Sequence, residues 1–529
     1  MADTLIRGAR IIDGTGAPWY RGDVLVSGGA IARIGQDLKA DDDATIVDAA
    51  ERYLAPGFID AHCHDDLIFL RERNRPEKAL QGVTSIVVGN CSFSLYPAVP
   101  ASRENLRLHF SGLLGETLDS EIFADLDGYR RALTGEGIAL NLVSLVGHAA
   151  LRLAVMGHER RPTSPAEIEA MCALLATQLD QGAAGLSLGL VYPPSAFAEE
   201  DELFALGDTV RSRGKVLAAH VRSYEAGLMD AIREFGGILR HSGSAGLLSH
   251  LQSAGRPNWG QIPAAIELLE GMRCEGIDIS FDMYPYPAGS TWLLQLLPPA
   301  AMDGGLDGLK ARLADPEKLA TLREWVEHGG PAFHGQSKVS LIGWGNVRLS
   351  AVGSAELKHL EGLDMEKAAG ELGVTPFDLM LRFIEEDDGQ TGIILFQLDE
   401  DDLHAACCHR LYMAGSDGLP RPGSKPHPRA FGTFPRIAGP LRRDKDWFSL
   451  EDAVRRMTSV AAQRFQLADR GLVRPGLAAD LVLFEDAITD RATFENSTQL
   501  PTGISHVWVN GGTVVAEGRQ TGERPGKVL

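Results

Sequence analysis

The sequence predicts an α/β fold: a closed barrel of eight parallel strands, with a small β-sandwich assembled from both ends of the chain. Three observations predict it. Short apolar strands alternate with amphipathic helical segments through the long middle of the chain, the pattern of parallel βα units. Several of those strands end in a histidine or an aspartate, and in such barrels chemistry gathers at the carboxyl ends of the strands. The two termini share a different texture, short β-runs separated by tight glycine turns.

The N-terminal part of the sandwich is read over residues 1–56. Leu5-Ile6-Arg7-Gly8-Ala9-Arg10-Ile11-Ile12 and Val24-Leu25-Val26 are β-type runs, and Gly28-Gly29 turns into Ile31-Ala32-Arg33-Ile34. Its C-terminal part, residues 469–529, carries Asp480-Leu481-Val482-Leu483-Phe484 and the strand–turn–strand run from His506 to Val515. Between them, 57–468 reads as the barrel. Its strands are Gly57–His64, Ile86–Gly89, Leu140–Val143, Gly185–Leu188, Lys215–His220, Gly246–His250, Ile279–Asp282 and Tyr412–Asp417. The helices between them include one from Pro165, with Ser164 as N-cap and proline at the first helical position. Residues 296–345 break the alternation: Pro298-Pro299, Gly304-Gly305 and Gly329-Gly330-Pro331 punctuate a segment read as an insertion over the barrel mouth, a candidate lid.

Composition excludes some classes of function. The 529 residues are 44% hydrophobic and 23% charged, with a formal net charge of -20. A surface this acidic repels phosphate backbones and anionic lipids, so neither nucleic acid nor membrane is an expected partner. No stretch approaches the ~20 apolar residues of a membrane helix. Six cysteines in this length make no disulfide framework. The N-terminal Met1–Arg7 lacks a basic segment leading into an apolar one, and a reducing cytoplasm is the expected compartment.

The chemistry is read from Gly57-Phe58-Ile59-Asp60-Ala61-His62-Cys63-His64. Residues two apart on a strand share a face, so His62 and His64 project together and Cys63 turns away. Paired imidazoles at a strand end are ligands for a divalent metal. His220 and His250 each finish an apolar strand, one βα unit apart. Four neutral imidazoles converging on one rim are satisfied by Zn²⁺, whereas burial and mutual repulsion disfavour their protonated forms. Asp417, in Gly415-Ser416-Asp417-Gly418, ends the last strand, where a carboxylate can take a proton from metal-activated water and return it to a leaving group. Cys91 follows the second strand; composition alone reads it as a buried thiol, though a thiolate there could join a metal site.

These and further stretches carry a resemblance. They are His62-Cys63-His64-Asp65-Asp66, Gly89-Asn90-Cys91-Ser92, Gly147-His148, Gly185–Pro194, His220-Val221-Arg222, Ser249-His250, Tyr284-Pro285-Tyr286, Gly415–Gly418 and Pro426-His427-Pro428-Arg429, with Gly476–Val482 near the end. Over essentially its whole length the chain resembles the amidohydrolase superfamily, and within it the D-aminoacylase (N-acyl-D-amino-acid deacylase) group. The resemblance implies a TIM (β/α)8 barrel with a terminal β-domain. It implies zinc held tightly at Cys91, His220 and His250, with a weaker second position at His62 and His64. Asp417 matches the catalytic carboxylate, and Tyr192 a position that contacts substrate. His148 is a candidate pocket residue, with a satisfied core histidine as its alternative. The implied reaction is hydrolysis of a linear amide, an N-acyl-D-amino acid or related small molecule.

Two positions depart from the group's pattern. Where relatives carry a lysine two residues after the histidine matching His250, this chain has Gln252. Where they carry an arginine ten residues after the tyrosine matching Tyr284, it has Leu294. Both cations would grip the substrate's carboxylate. Their loss opens an alternative expectation, a neutral, bulkier or cyclic amide against an apolar wall of Trp292, Leu293 and Leu294, unless another cation such as Arg222 or Arg256 substitutes.

Overall fold

The structure, a computed structural model, describes residues 3–330 and 336–529. Eight parallel strands run as neighbours in chain order: β1 (Phe58–Asp60), β2 (Val83–Val88), β3 (Asn141–Gly147), β4 (Gly185–Gly189), β5 (Val216–His220), β6 (Ala245–Leu248), β7 (Ile279–Met283) and β8 (Tyr412–Ala414). Helices connect them and cover the outside. Each strand is buried along nearly its whole length, one face by the helices and one by the barrel interior. The two faces separate by alternation. Ile59, Val87, Val143, Leu145, Val216, Ala218, Leu247 and Met413 form the inner cluster. Their neighbours Val88, Leu142, Leu217, Leu248 and Phe281 pack outward under the helices.

The cylinder closes where β8 meets the chain leaving β1. The Ala61 amide donates to Ala414 O at 3.1 Å, that of Asp417 to His62 O at 2.7 Å, and that of His64 to Gly418 O at 3.0 Å. A buried ionic knot fastens this seam from outside. Lys78 Nζ donates to Asp60 Oδ2 at 2.6 Å and to Ser416 Oγ at 2.9 Å, and the Ser416 amide donates to Asp60 Oδ1 at 2.8 Å. Asp65 lies 3.3 Å from the same ammonium and pairs with the buried Arg75.

Strands from both ends form one mixed sheet of nine, as the terminal β-texture implied. The N-terminal Tyr53–Pro56 pairs antiparallel with the C-terminal Leu481–Thr489, and Ile6, Val24, Leu54, Leu483 and Trp508 fill a core of their own. Ser164 caps the helix Pro165–Asp180 in a reciprocal capping box with Glu167.

The segment that breaks the alternation is longer than 296–345. The excursion between β7 and β8 spans 284–411 and contains a three-stranded antiparallel sheet: Gly289–Trp292, Gly392–Leu395 in the centre, and Val347–Ala351. The sequence reading missed it because these strands are short and far apart in the chain. Pro331, which punctuates the segment, lies outside the described residues. Among the described residues no helix is long and apolar enough to cross a membrane.

Removing one partner of a buried, hydrogen-bonded charge cluster leaves the others uncompensated. Lys78→Met is expected to destabilise the fold by about 3–5 kcal/mol, measured by urea unfolding; a change under about 1 kcal/mol would mean that the seam does not depend on the knot.

Candidate metal centre

The inward alternation of the strands sets the site. Val216 and Ala218 point into the barrel, so His220, two residues further, points into its mouth. Met413 does the same for Asp417, four residues on. β1 ends at Asp60, earlier than the sequence implied, so His62 and His64 lie on the segment that follows it. The alternation nevertheless persists: Cys63 bridges to Gly418 and turns its Sγ to Val87 O, while the rings of His62 and His64 lie 5.4 Å apart between centroids.

Cys91 and His250 need sharper turns. Each follows its strand with a positive φ, 54° and 33°, as does Asp417 at 47°. Left-handed backbone is costly at non-glycine residues and persists where the surroundings over-determine it, most often at functional sites. Gly189 allows the approach of Cys91: a Cβ there would sit 2.2 Å from Cys91 O.

The five predicted ligands meet. The donor atoms of His62, His64 and Cys91 lie within 4.8 Å of one another, as do those of Cys91, His220 and His250. Cys91 Sγ is common to both triads, 3.3 Å from His62 Nε2 and 3.6 Å from His250 Nε2. Asp417 Oδ1 stands 3.1 Å from His64 Nε2 and 3.5 Å from His62 Nε2. All are buried, and His64, His220 and His250 each keep an Nδ1 with no hydrogen-bond partner. Sulfur and imidazole donors in two triads sharing a thiolate fit zinc at one position, with room in the donor set for a second.

The electrostatics divide the ligands: Cys91, Asp417 and His220 are held in donor forms, whereas His62 and His64 are drawn toward imidazolium. Burial opposes ionisation of the Cys91 thiol, but the imidazoles of His62, His220 and His250 outweigh it and hold the thiol well below its usual range. Burial likewise opposes ionisation of Asp417, and Arg429, His64 and His62 hold its carboxyl well below the usual carboxylate value. His220 is pushed down to about 4 by burial and by His250, which keeps it a neutral donor. His64 moves the other way, up to about 9, because Asp417 and Cys91 overcome its burial.

Two residues of this centre carried no role in the sequence reading. Asp282, at the inward end of β7, lies 3.2 Å from His62 Nδ1 and accepts the His250 amide at 2.9 Å. It thereby fixes the His62 ring with Nε2 facing Cys91, as carboxylates behind metal-ligating histidines do. Arg429, fully buried, bonds Asp417 Oδ2 at 2.8 Å and lies over the Tyr284 ring at 4.3 Å. Their signals were a strand ending in aspartate and the Pro-His-Pro-Arg run; neither shows its partner from spacing alone.

A pocket of about 50 Å³ opens on the cluster, lined by His64, Cys91, His220, His250 and Asp417 together with Tyr192, Gln252, Tyr284 and Lys338. Tyr284 Oη donates to Gln252 Oε1 at 2.7 Å. His148 is not among its lining residues. That histidine is fully buried at a helix start, with Nε2 2.6 Å from Glu202, which also pairs with Arg152; its Nδ1 is buried without a partner, away from the pocket lining. Arg222, tied to Glu234, and the exposed Arg256 do not line the pocket either. Lys338, from the excursion, does.

The chain is 36% identical to the N-acyl-D-glutamate deacylase of Alcaligenes xylosoxydans xylosoxydans, over all of its own length and 96% of that protein's. It belongs to the D-aminoacylase group of N-acyl-D-amino-acid deacylases. The amidohydrolase family profile matches residues 408–515. Among solved structures, a D-aminoacylase described with a binuclear metal centre, with one-metal activation and second-metal attenuation, superposes with a TM-score of 0.82 at 35% identity, covering 100% of both chains. The Bordetella bronchiseptica N-acyl-D-glutamate deacylase, complexed with zinc and a phosphonate mimic of the tetrahedral intermediate, gives 0.83 at 34% identity, covering 100% of this chain and 99% of that one. Membership of the deacylase group confirms the fold expected from the resemblance.

Replacing the shared thiolate should empty both positions. Cys91→Ala is expected to lose most bound zinc after dialysis, read by elemental analysis against the intact protein; undiminished stoichiometry would remove Cys91 from the ligand set.

Proposed function

We propose that this protein is a zinc-dependent N-acyl-D-amino-acid deacylase, hydrolysing a linear amide to a carboxylic acid and a free D-amino acid. The observation that carries this reading is the meeting of both ligand triads with Asp417 at one pocket on the barrel mouth. Full-length similarity to deacylases supports the substrate class and the D configuration. Cys91, His220 and His250 would hold the tight zinc, and His62 and His64 with Cys91 a weaker second ion.

Zinc bound there supplies Lewis acidity, making water nucleophilic near neutral pH and polarising the amide carbonyl. Asp417 Oδ1 takes the proton of the attacking water and delivers it to the departing amide nitrogen. Arg429 holds the other oxygen of that carboxylate and fixes its orientation. Tyr192, kept protonated by burial and by Cys91, donates a hydrogen bond to the oxygen on which charge develops.

With glutamine and leucine at the two positions where the group's pattern has cations, Lys338 takes the substrate's carboxylate. Its ammonium pairs with Glu225 at 2.9 Å and has further protons to donate. Gln252 and Tyr284 add neutral hydrogen bonds. A carboxylate-free or cyclic amide is not favoured: a lysine lines the pocket, and the full-length relatives are deacylases of acidic D-amino acids and D-aminoacylases. We place the enzyme in the cytoplasm, where its six cysteines, all free, stay reduced.

Asp417→Asn is expected to lower kcat by about a hundred- to ten-thousandfold with zinc content retained. Activity within tenfold of the intact enzyme would remove Asp417 from its proton-transfer role. Lys338→Met is expected to raise KM for N-acyl-D-amino acids by about ten- to a hundredfold, and to leave the weak turnover of carboxylate-free amides unaffected. An unchanged KM would assign the carboxylate to another group. The decisive assay is turnover of N-acyl-D-, N-acyl-L- and carboxylate-free amides by the zinc-loaded protein. No hydrolysis of the D series would end this reading.

A further inference from the structure

A second cavity, of about 280 Å³, lies beside the metal pocket and exceeds it several-fold in volume. Val191 and Gln295 line both, so the two spaces adjoin across these side chains. Its wall is mostly apolar: Leu108, Trp292, Leu294, Leu297, Met302 and Leu306. A run of aromatic rings joins it to the metal ligands. His64 meets Phe93 edge-on at 6.4 Å, Phe93 stacks on His109 at 4.7 Å, and Trp292 stands 6.1 Å from Phe93. His109 and Trp292 line the cavity at 5% exposure each, and each keeps a ring nitrogen, Nε2 and Nε1, without a hydrogen-bond partner. Its charged groups lie at the rim, where Lys310 pairs with Asp388 at 2.5 Å and Asp307 is exposed.

A large, mostly apolar space beside a reaction centre has the character of a subsite. Its position says for which half of the substrate. The polar groups that suit a carboxylate (Gln252, Tyr284 and Lys338) line the metal pocket and not the cavity. The two substituents of an amide diverge from its carbonyl carbon. With the amino-acid half turned to those polar groups, the acyl half faces Val191, Gln295 and the cavity beyond them.

We propose that this cavity binds the acyl arm of the substrate, and that the preferred substrate carries a bulky apolar acyl group, of the size of octanoyl, in place of acetyl. The inference rests on the deacylase reading and narrows its substrate. Each methylene that enters the cavity leaves water, which raises kcat/KM by about fourfold per group until the space is filled.

The test is an acyl series, acetyl, butanoyl, hexanoyl and octanoyl, on one D-amino acid, assayed with the zinc-loaded enzyme. A parallel series varies the D-side chain at constant acetyl. Rising kcat/KM along the acyl series is expected, with the octanoyl-to-acetyl ratio falling at least tenfold in Leu108→Trp, whose indole narrows the cavity from its exposed rim. Leu306→Trp provides a second narrowing from the opposite helix should the first fail to fold. Turnover of the acetyl compound with a flat or falling acyl series overturns the inference and leaves the deacylase reading standing, as does a rise confined to the side-chain series. If no N-acyl-D-amino acid is cleaved, the deacylase reading falls, and calorimetric titration with n-octanoate decides the cavity separately. Binding to the intact protein that Leu108→Trp loses sustains an apolar-acyl subsite, and absence of binding overturns it.

Discussion

Closure of β8 onto the chain leaving β1 is the constraint on which the site depends. Two backbone hydrogen bonds, Asp417 to His62 and His64 to Gly418, lock the end of the barrel to its beginning. They place the Asp417 carboxylate against the paired histidines. Neither Asp417 nor His64 could hold its orientation on a free strand end, where backbone is solvated and mobile. The Lys78–Asp60–Ser416 knot adds a charged clamp to the same seam. That clamp is buried, so it is geometrically strict: a shift of either strand would strand an ion in apolar surroundings. Stability and catalytic geometry thus rest on one set of contacts.

Inside the mouth the problem is charge. A thiolate at Cys91 and a carboxylate at Asp417, both buried, repel each other and are expensive to desolvate. The imidazoles, Arg429 and a bound dication share the compensation. This arrangement explains why the ligands are pulled in opposite directions, His220 toward the neutral donor and His64 toward the imidazolium. A site with that internal asymmetry favours unequal metal positions: the Cys91–His220–His250 side presents a ready donor set, while the His64 side must first give up a proton that Asp417 stabilises.

What the sequence made legible follows from this geometry. His220, His250 and Asp417 could be read because apolar strands end in them and barrel strands end at one mouth. His62 and His64 could be read from alternation, although their strand stops two residues short. Cys91 entered the ligand set only through resemblance, since a cysteine after a strand is ordinarily a small buried hydrophobe. Asp282, Arg429 and Lys338 could not be placed by spacing alone: each meets a partner contributed by another segment, His62, Asp417 and Glu225. For His148 the sequence left a pocket residue and a core histidine both open. Its partner, Glu202, lies two helices away, and only the fold shows that Nε2 is engaged there and not at the pocket. The extent of the excursion was hidden because its small sheet is built from strands of four and five residues separated by whole helices.

The division of labour between barrel and excursion carries one more step. Ligands and Asp417 all come from strand ends of the barrel, whose interior is a packed core with little freedom to vary. Lys338, Trp292, Leu294 and Gln295 come from 284–411, which roofs the mouth without entering that core. A change of substrate therefore costs the barrel nothing: the cation that meets the carboxylate can move from a strand end to the roof, as the glutamine at 252 and the lysine at 338 imply. The small metal pocket fixes the bond that is broken. The larger space beside it, whose walls the roof supplies, fixes which acyl groups can reach that bond.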